Sequence, residues 1–400
     1  MKQARVSLLI AIAVLPLVLV SCSGTPFSCS GAAQRTGGWS GPVFHDGIIY
    51  VGSKDGRVIA INASSREEKW QWPDTTGIRG LIYTTPIVDG DSVYVGTYSG
   101  KVLALNTSAR SQDLPFPQNK YGEWEWDCPI ENAKNNAIVA DLLVSEVTIY
   151  VASSNGRVYA LDKGSGDENW KREDLPVLAE KLWTSPVIQG NTLYVSTFDG
   201  HIYSLSSETG QSLNWSFQSE AGFTSSPLIY EGTLFLGSFD RYLYAIEMGS
   251  NVSMWKFPEE KPSGNWFWAS PLVNEGIVYA GSLDGKLYAI NATTAKEIWS
   301  YTTKDQAGKP SPIISSPVLI DNLLIVVNES GTVYVFDVST EFGDEVVPLK
   351  AIPIGASVRS SLCAQDGLVY IRGEDNSIYV VDIGRGEIVE GWPLSLTTEQ

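Results

Sequence analysis

The sequence has few of the residues that build metal and redox sites. Its 400 residues include two histidines and four cysteines. A zinc site needs three or four nitrogen, sulfur or oxygen ligands at a recognisable spacing, and neither His45 nor His201 has a second ligand at such a spacing. No two cysteines are adjacent, and one of the four belongs to an N-terminal motif described below. The other three, Cys29, Cys128 and Cys363, favour isolated thiols over a disulfide framework.

Positive charge is also scarce. The 28 lysines and arginines are outnumbered by 45 aspartates and glutamates, which gives a formal net charge of −17. An acidic surface repels phosphate groups, so the composition argues against nucleic acid as a partner. It argues equally against attachment to anionic lipid through a basic face.

The signatures of common catalytic sites are missing as well. The chain has no Gly-x-Ser-x-Gly nucleophile elbow. The segment Gly281–Lys286 contains two glycines and a lysine, but its spacing does not fit a phosphate-binding loop, and Leu287 follows it. The carboxylates are spread over turns, which is typical of a solvated surface rather than of a paired general acid and base.

No apolar run is long enough for a comfortable membrane span. The longest, Val6–Val20, is shorter than the roughly 20 residues that a spanning helix needs, and basic residues precede it, as in an export signal. The residues Leu19-Val20-Ser21-Cys22 resemble a bacterial lipobox, in which cleavage before the cysteine leaves a residue that carries lipid. We expect residues 1–21 to be a lipoprotein signal peptide, Cys22 to be lipidated and anchored in the membrane, and residues 22–38 to form a flexible tether.

One motif is present eight times. A clear copy is Val278–Asn291, which contains an apolar strand, a small residue, an Asp-Gly turn and Tyr-Ala-Ile-Asn, with Trp299 following. We anchor each copy on its turn residue, and successive anchors are 41 to 56 residues apart. The anchors are Gly56, Gly100, Gly156, Gly200, Arg241, Gly285, Gly331 and Asn376.

Residue types recur at fixed distances from each anchor. The sixth residue before it and the third residue after it are aromatic or aliphatic, and the sixth residue after it is polar. A tryptophan follows in most copies. Periodic apolar residues mark a core, so we interpret these columns as packing and turn geometry rather than as a catalytic site. The tryptophans are Trp70, Trp170, Trp215, Trp255, Trp299 and Trp392.

Each copy predicts one small antiparallel sheet. The β-branched and aromatic runs predict strands, and the glycine at the anchor accepts the positive φ of a tight hairpin. A lone sheet of about 45 residues cannot bury both of its faces, whereas a ring of sheets buries them against one another. We predict an all-β fold, an eight-bladed β-propeller of four-stranded antiparallel blades over residues 39–400, present as a monomer.

The repeat resembles the pyrroloquinoline-quinone-like (PQQ-like) propeller repeat. The copy Gly156–Asp162, with Trp170 after it, matches the pattern Gly-x-Leu-Tyr-Ala-Leu-Asp followed by Trp, and the resemblance covers essentially all of the chain after the N-terminal segment. One branch of this superfamily comprises quinoprotein dehydrogenases, which hold a quinone and calcium in the central channel and have an adjacent cysteine pair. The other comprises non-catalytic lipoproteins similar to BamB, which act as scaffolds in outer-membrane protein assembly. The lipobox, tether and compact blades resemble the second branch.

Two aromatic segments and one ring of residues are the candidate partner-binding sites. Trp124 and Trp126 stand within an insertion, where long loops commonly carry function. Trp266, Phe267 and Trp268 would form a recognition patch if two of the three were exposed. The residues before each first strand should surround one mouth of the channel, where they either contact a partner or pack over neighbouring blades. These are Trp39, Tyr83, Trp183, Phe223, Trp268 and Arg359.

The sequence therefore predicts an exported, lipid-anchored, non-enzymatic propeller that acts as a protein-binding scaffold. Envelope and outer-membrane protein assembly is the role that the resemblance implies, with other envelope or extracellular proteins as partners. We expect no cofactor and no metal. Two alternatives remain open: a PQQ-dependent oxidoreductase, and a carbohydrate-binding surface protein that uses the aromatic segments.

Overall fold

The computed structural model describes residues 40–73, 81–108, 122–129, 136–171, 176–178, 181–250, 252–339 and 346–396. The regular secondary structure within these ranges is β-strand, and no helix there has the length and apolar character needed to cross a membrane. The predicted signal peptide, the tether, Cys22 and Trp39 lie outside the described residues.

Eight antiparallel sheets follow one another along the chain as the blades of a propeller, which confirms the predicted fold. Each blade is a contiguous stretch whose strands pair in sequence order from the channel outward. The strands of blades 1 to 4 are β1 (Val43–His45), β2 (Ile48–Gly52), β3 (Val58–Asn62), β4 (Glu68–Trp72), β5 (Ile87–Asp89), β6 (Ser92–Gly96), β7 (Lys101–Asn106), β8 (Trp124–Asp127), β9 (Leu143–Val144), β10 (Thr148–Ala152), β11 (Val158–Asp162), β12 (Val187–Gln189), β13 (Thr192–Ser196), β14 (His201–Ser206) and β15 (Ser212–Gln218).

Blades 5 to 8 follow the same plan. In blade 8, β31 and β32 both pair with β30, and in blade 3 a single bridge between Leu161 and Glu168 stands at the place of a fourth strand. The strands of blades 5 to 8 are β16 (Leu228–Tyr230), β17 (Thr233–Gly237), β18 (Leu243–Glu247), β19 (Ser253–Phe257), β20 (Leu272–Asn274), β21 (Ile277–Gly281), β22 (Lys286–Asn291), β23 (Glu297–Thr302), β24 (Val318–Ile320), β25 (Leu323–Val327), β26 (Thr332–Asp337), β27 (Lys350–Pro353), β28 (Cys363–Gln365), β29 (Leu368–Arg372), β30 (Ser377–Asp382), β31 (Glu387–Ile388) and β32 (Leu394–Ser395).

The anchor residues occupy the turns between the second and third strands, as predicted. All eight have a positive φ, including the two that are not glycine, Arg241 at 71° and Asn376 at 63°. The polar residue six positions later closes the next turn. In blade 6 Asn291 Oδ1 accepts hydrogen bonds from the backbone N–H groups of Thr293 and Thr294, at 3.1 and 2.9 Å. The recurrent polar residue therefore serves to stabilise this turn.

The hydrophobic core lies between blades rather than inside one. In blade 1, Tyr50 and Ala60 pack toward blade 2, whereas Ile49 and Ile61 belong to a cluster that includes Tyr370 and other residues of blade 8. Successive side chains of a strand point to opposite faces, so both faces of every sheet are buried against neighbours. The cluster shared by blades 1 and 8 closes the ring.

The tryptophan column joins each of blades 1 to 5 to the next blade by a hydrogen bond as well as by packing. Trp255 Nε1 donates to the carbonyl oxygen of Ala292 in the following blade at 2.9 Å, and Trp70 Nε1 donates to that of Thr107 at 3.2 Å. In six blades the indole also contacts the aromatic residue six positions before the anchor, with ring centroids 5.5 to 6.0 Å apart.

Trp124 belongs to this column, which corrects its placement in a functional loop. Its Nε1 donates to Lys163 O at 3.0 Å, and it lies on β8 opposite Ala104, just as Trp70 lies opposite Ala60. Trp70 stands 14 residues after its anchor, whereas Trp124 stands 24 residues after Gly100. The insertion precedes the tryptophan and hid the correspondence.

The two described cysteines, Cys128 and Cys363, form no disulfide with each other, in agreement with the expectation of isolated thiols. Cys128 is buried, and the backbone N–H of Phe44 donates to Cys363 Sγ at 3.3 Å. Burial raises the pKa of the Cys363 thiol. Both thiols are thus part of the blade packing.

Candidate binding site at the channel mouth

A segment of four residues precedes the first strand of each blade. Its side chains point alternately into the blade interface and into the central channel. In blade 2, Ile82 and Thr84 are fully buried, whereas Tyr83 and Thr85 line the channel cavity. Extended backbone directs successive side chains to opposite sides, so the segment presents every second residue to the channel. The buried hydroxyl fixes the segment, since Thr84 Oγ1 accepts the backbone N–H of Gly96 at 2.9 Å.

The residue two positions before each first strand forms a ring inside the channel, which we call the hydroxyl ring. Backbone N–H groups of this ring donate to side-chain oxygens of the next blade: Ser185 N to Ser226 Oγ at 2.9 Å, and Ser270 N to Ser316 Oγ at 3.0 Å. The ring comprises Gly41, Thr85, Asp141, Ser185, Ser226, Ser270, Ser316 and Ser361. One member carries a carboxylate, and the others are glycine, threonine or serine.

Asp141 supplies that carboxylate. The backbone N–H of Thr85 donates to its Oδ1 at 2.6 Å. Burial removes water from the charged form and raises the pKa of Asp141 from 3.8 to about 6, although the bond from Thr85 acts in the opposite direction. The channel therefore holds one carboxylate that is partly shielded from water.

Above the ring lies a cavity of about 180 Å³ at the channel mouth. Four residues that the sequence predicted at the mouth, Tyr83, Trp183, Trp268 and Arg359, line this cavity together. Asp141 and the other hydroxyl-ring residues from Thr85 to Ser361 also line it. The cavity is thus polar below, where the ring lies, and largely aromatic at its rim.

The rim of blades 4 to 6 carries a continuous set of ring contacts, which we call the aromatic arc. It consists of Trp183, Phe198, Phe239, Trp266 and Trp268. Phe198 lies 4.7 Å from Trp183 and 5.0 Å from Phe239, between ring centroids. Phe239 in turn lies 5.1 Å from Trp266 and 6.4 Å from Trp268. All four interplanar angles are between 63° and 88°, the edge-to-face geometry that aromatic quadrupoles favour.

The opposite part of the rim is charged. Arg359 forms an ion pair with Glu329, whose Oε1 lies 2.9 Å from Nε and 2.6 Å from Nη2. Lys54 of blade 1 donates to the backbone carbonyl of Glu374 in blade 8. The mouth of the propeller is therefore aromatic over blades 4 to 6 and ionic over blades 7, 8 and 1.

Four of the predicted partner-binding aromatics are buried instead, including Phe223 of the expected mouth ring. Trp124 and Trp126 are 4% and 7% exposed, and Phe267 is fully buried. Phe267 and Phe223 each stand one residue before the position that lines the mouth, where the side chain points into the blade interface. The backbone carbonyl of Phe267 lies so close to Gly237 that a Cβ on Gly237 would be 2.1 Å from it. Trp266 and Trp268 are partly buried, so the run of three aromatics is not an exposed patch.

Sequence reasoning missed Asp141, Phe198 and Phe239. The signals were present: Asp141 stands where five other blades have serine, and the two phenylalanines stand two residues before an anchor. Within the described segments, no three side chains of His, Cys, Asp or Glu come together as they would around a metal ion.

The chain matches the profile of the protein family described as outer membrane protein assembly factor BamB, in three overlapping segments, residues 27–174, 118–267 and 154–391. Two curated relatives carry the same description. The protein from Legionella pneumophila (strain Paris) is 28% identical over 185 residues, which cover 46% of this chain and 44% of the relative. The protein from Kangiella koreensis is 23% identical over 177 residues, which cover 44% and 41%. The aligned part thus spans less than half of either relative.

Similar solved structures include BamB from Moraxella catarrhalis, with a TM-score of 0.64, 18% identity, and coverage of 85% of this chain and 93% of that one. A europium-containing methanol dehydrogenase is also similar, with a TM-score of 0.58, 13% identity, and coverage of 85% and 81%. At these identities the likeness shows the fold alone. The same ring of blades therefore serves proteins with different activities.

Proposed function

Because the chain belongs to the family of outer membrane protein assembly factor BamB, we propose that it is an exported, lipid-anchored propeller that binds other proteins and takes part in envelope-protein assembly. The family match carries this proposal, since its segments run from residue 27 to residue 391 and reach all eight blades. Residues 1–21 as signal peptide, lipid on Cys22 and residues 22–38 as tether belong to the same proposal, as does a scaffold role without catalysis.

The channel mouth is the surface that we propose for partner binding. Aromatic residues and arginine are enriched in protein interfaces, and the aromatic arc and Arg359 lie on the same face, on opposite parts of the rim. That face holds the turns between second and third strands and the connections between blades. For example, the N–H of Phe239, in the turn between β17 and β18, donates to the carbonyl of Gly222, in the connection between blades 4 and 5, at 2.8 Å. The opposite face holds the other two turns of each blade, as the bond from Ala292 N–H to Gly276 O shows.

Site-specific photocrosslinking in the protein's own cells tests this proposal. A benzoylphenylalanine at Phe239 should give crosslinked envelope proteins, because that ring lies at the centre of the aromatic arc. The matched control is the same probe at Thr294, an exposed residue in a turn on the opposite face. Equal crosslinking from both sites, or none from either, would contradict a partner-binding mouth.

The anchor is tested separately. Replacing Cys22 by Ser should abolish incorporation of labelled palmitate into the protein, because a serine cannot carry the thioether-linked lipid. Metabolic labelling followed by immunoprecipitation measures this change. Equal labelling of the variant and the wild type would refute lipidation at Cys22.

The quinone-dependent oxidoreductase has less support. The cavity of about 180 Å³ is smaller than the roughly 300–1,000 Å³ of pockets that enclose larger ligands and cofactors. Dye-linked alcohol oxidation after addition of PQQ and calcium would nevertheless overturn the scaffold proposal. Glycan titration against the same protein would test the carbohydrate alternative, for which the aromatic arc is the candidate surface.

A further inference from the structure

The hydroxyl ring contains one residue that the packing of the ring does not require. Five blades place serine at this site, and the oxygens of Ser226 and Ser316 accept the same neighbour-to-neighbour bond that Asp141 accepts from Thr85. A carboxylate that is partly buried here loses part of its hydration, which costs more free energy than it would for a serine hydroxyl. Residues that cost stability in this way are common where a ligand is bound.

The protein itself supplies no counter-charge to Asp141. Within the described residues, no lysine, arginine or histidine forms an ion pair with it. Arg359 lines the same cavity, but its guanidinium is held by Glu329 at 2.6 and 2.9 Å. Among the described residues, Asp141 is therefore a negative charge without an ion-pair partner, below aromatic walls that attract cations, as the position of Lys181 Nζ 5.5 Å from the centroid of the Trp183 ring shows.

Two buried polar atoms of the cavity lining also have no partner. Trp183 Nε1 and Ser315 Oγ make no hydrogen bond to any described residue, and Ser315 is only 2% exposed. By contrast, the indole nitrogens of Trp215 and Trp255 donate to carbonyl oxygens at 2.6 and 2.9 Å. Buried donors are rarely left unpaired, so an acceptor is expected beside Trp183. Trp183 and Asp141 lie on neighbouring blades and line the same cavity.

We propose that this cavity binds a small organic cation that also carries a hydrogen-bond acceptor, such as a primary ammonium beside a carbonyl oxygen. The ammonium lies on Asp141, the acceptor receives the indole N–H of Trp183, and the carbon atoms lie against Tyr83 and Trp268. The volume of about 180 Å³ equals that of about six water molecules. A primary ammonium beside a carbonyl oxygen is found in free amino compounds and at the amino end of a polypeptide.

A ligand-detected NMR titration with glycinamide tests the site. Glycinamide should bind saturably, in the millimolar range expected for so small a molecule, up to about 10 mM. Acetamide, which lacks the ammonium, should not bind. The variant Asp141→Asn keeps the shape and the acceptor for Thr85, yet should bind glycinamide at least about tenfold more weakly because the charge-assisted bond is lost. The control Glu260→Gln, which removes an exposed surface charge, should bind as the wild type does.

Two further arms test the acceptor and the source of the ligand. The variant Trp183→Phe keeps an aromatic wall but removes the N–H, and it should weaken glycinamide binding while leaving ethylamine binding unchanged. Triglycine amide should bind at least as tightly as glycinamide if the natural ligand is a polypeptide end, and more weakly if it is a free amine. Absence of saturable binding by glycinamide, or equal binding to Asp141→Asn, would overturn the proposal. The site is independent of the crosslinking result, because the probes are small molecules.

Discussion

Replacing Asp141 by Asn should stabilise the protein at neutral pH, although it removes a hydrogen-bonded side chain from the centre of the fold. In the folded protein the pKa of Asp141 is raised from 3.8 to about 6, chiefly because burial disfavours the carboxylate. A raised pKa means that the folded state holds its proton to higher pH than the unfolded state does. The contribution of this residue to stability therefore falls as the pH rises from about 4 to about 6, and stays low above that.

The magnitude follows from the two pKa values. At 1.36 kcal/mol per pH unit, the interval from 3.8 to about 6 corresponds to about 3 kcal/mol of lost stability at pH 7. The asparagine has no charge to desolvate, and its Oδ1 can still accept the N–H of Thr85. The neutral amide forms a weaker bond than the carboxylate, so we expect a net gain of about 1–2 kcal/mol at pH 7.5.

Guanidinium unfolding at pH 4.5, 5.5, 6.5 and 7.5, followed by tryptophan fluorescence, measures the difference between variant and wild type. The advantage of Asp141→Asn should be small at pH 4.5 and should grow to a plateau near pH 7. Glu260→Gln removes one exposed charge and should show no such rise. A variant that is less stable at pH 7.5, or a difference that does not change with pH, would refute the reasoning.

The blade interfaces lead to two more predictions. Trp255→Phe should lower the free energy of unfolding by about 1–3 kcal/mol, because the carbonyl of Ala292 loses its donor. Denaturant titrations measure the loss. A loss below about 0.5 kcal/mol, which is the usual spread for surface substitutions, would contradict the role of this bond. Gly237→Ala should cost about 3 kcal/mol, because its Cβ would lie 2.1 Å from the Phe267 carbonyl. The matched control Gly164→Ala, whose nearest atom is 3.4 Å away, should change stability by less than about 0.5 kcal/mol, and equal effects of the two would be inconsistent with the clash.

The repeat columns could be predicted from sequence because their physical causes are local or periodic. A residue with positive φ is needed at each hairpin, so Arg241 and Asn376 could be recognised as anchors from spacing alone. Trp124 was misplaced because spacing was the only signal and an insertion shifted it. Phe267 was misplaced because a run of three aromatics does not reveal which ring points into the blade interface.

The binding site was predicted only in outline. Tyr83, Trp183, Trp268 and Arg359 were expected at the mouth, since the segments before the first strands must meet around the channel. Asp141 was overlooked because a single carboxylate in a sequence with 45 acidic residues has no distinguishing pattern. Its significance comes from its neighbours, which are seven small residues brought from seven other blades.

The sequence by itself determined the number of blades, the turns and the packing columns, because each depends on interactions that recur within about 45 residues of chain. Only the tertiary structure decided which side chains share the channel. Residues as distant as Thr85 and Ser361 come within 3.4 Å when the ring closes, and closure depends on how blade 8 packs on blade 1. The burial of Asp141, the aromatic arc and the unpaired indole of Trp183 all arise from the packing of several blades around one channel.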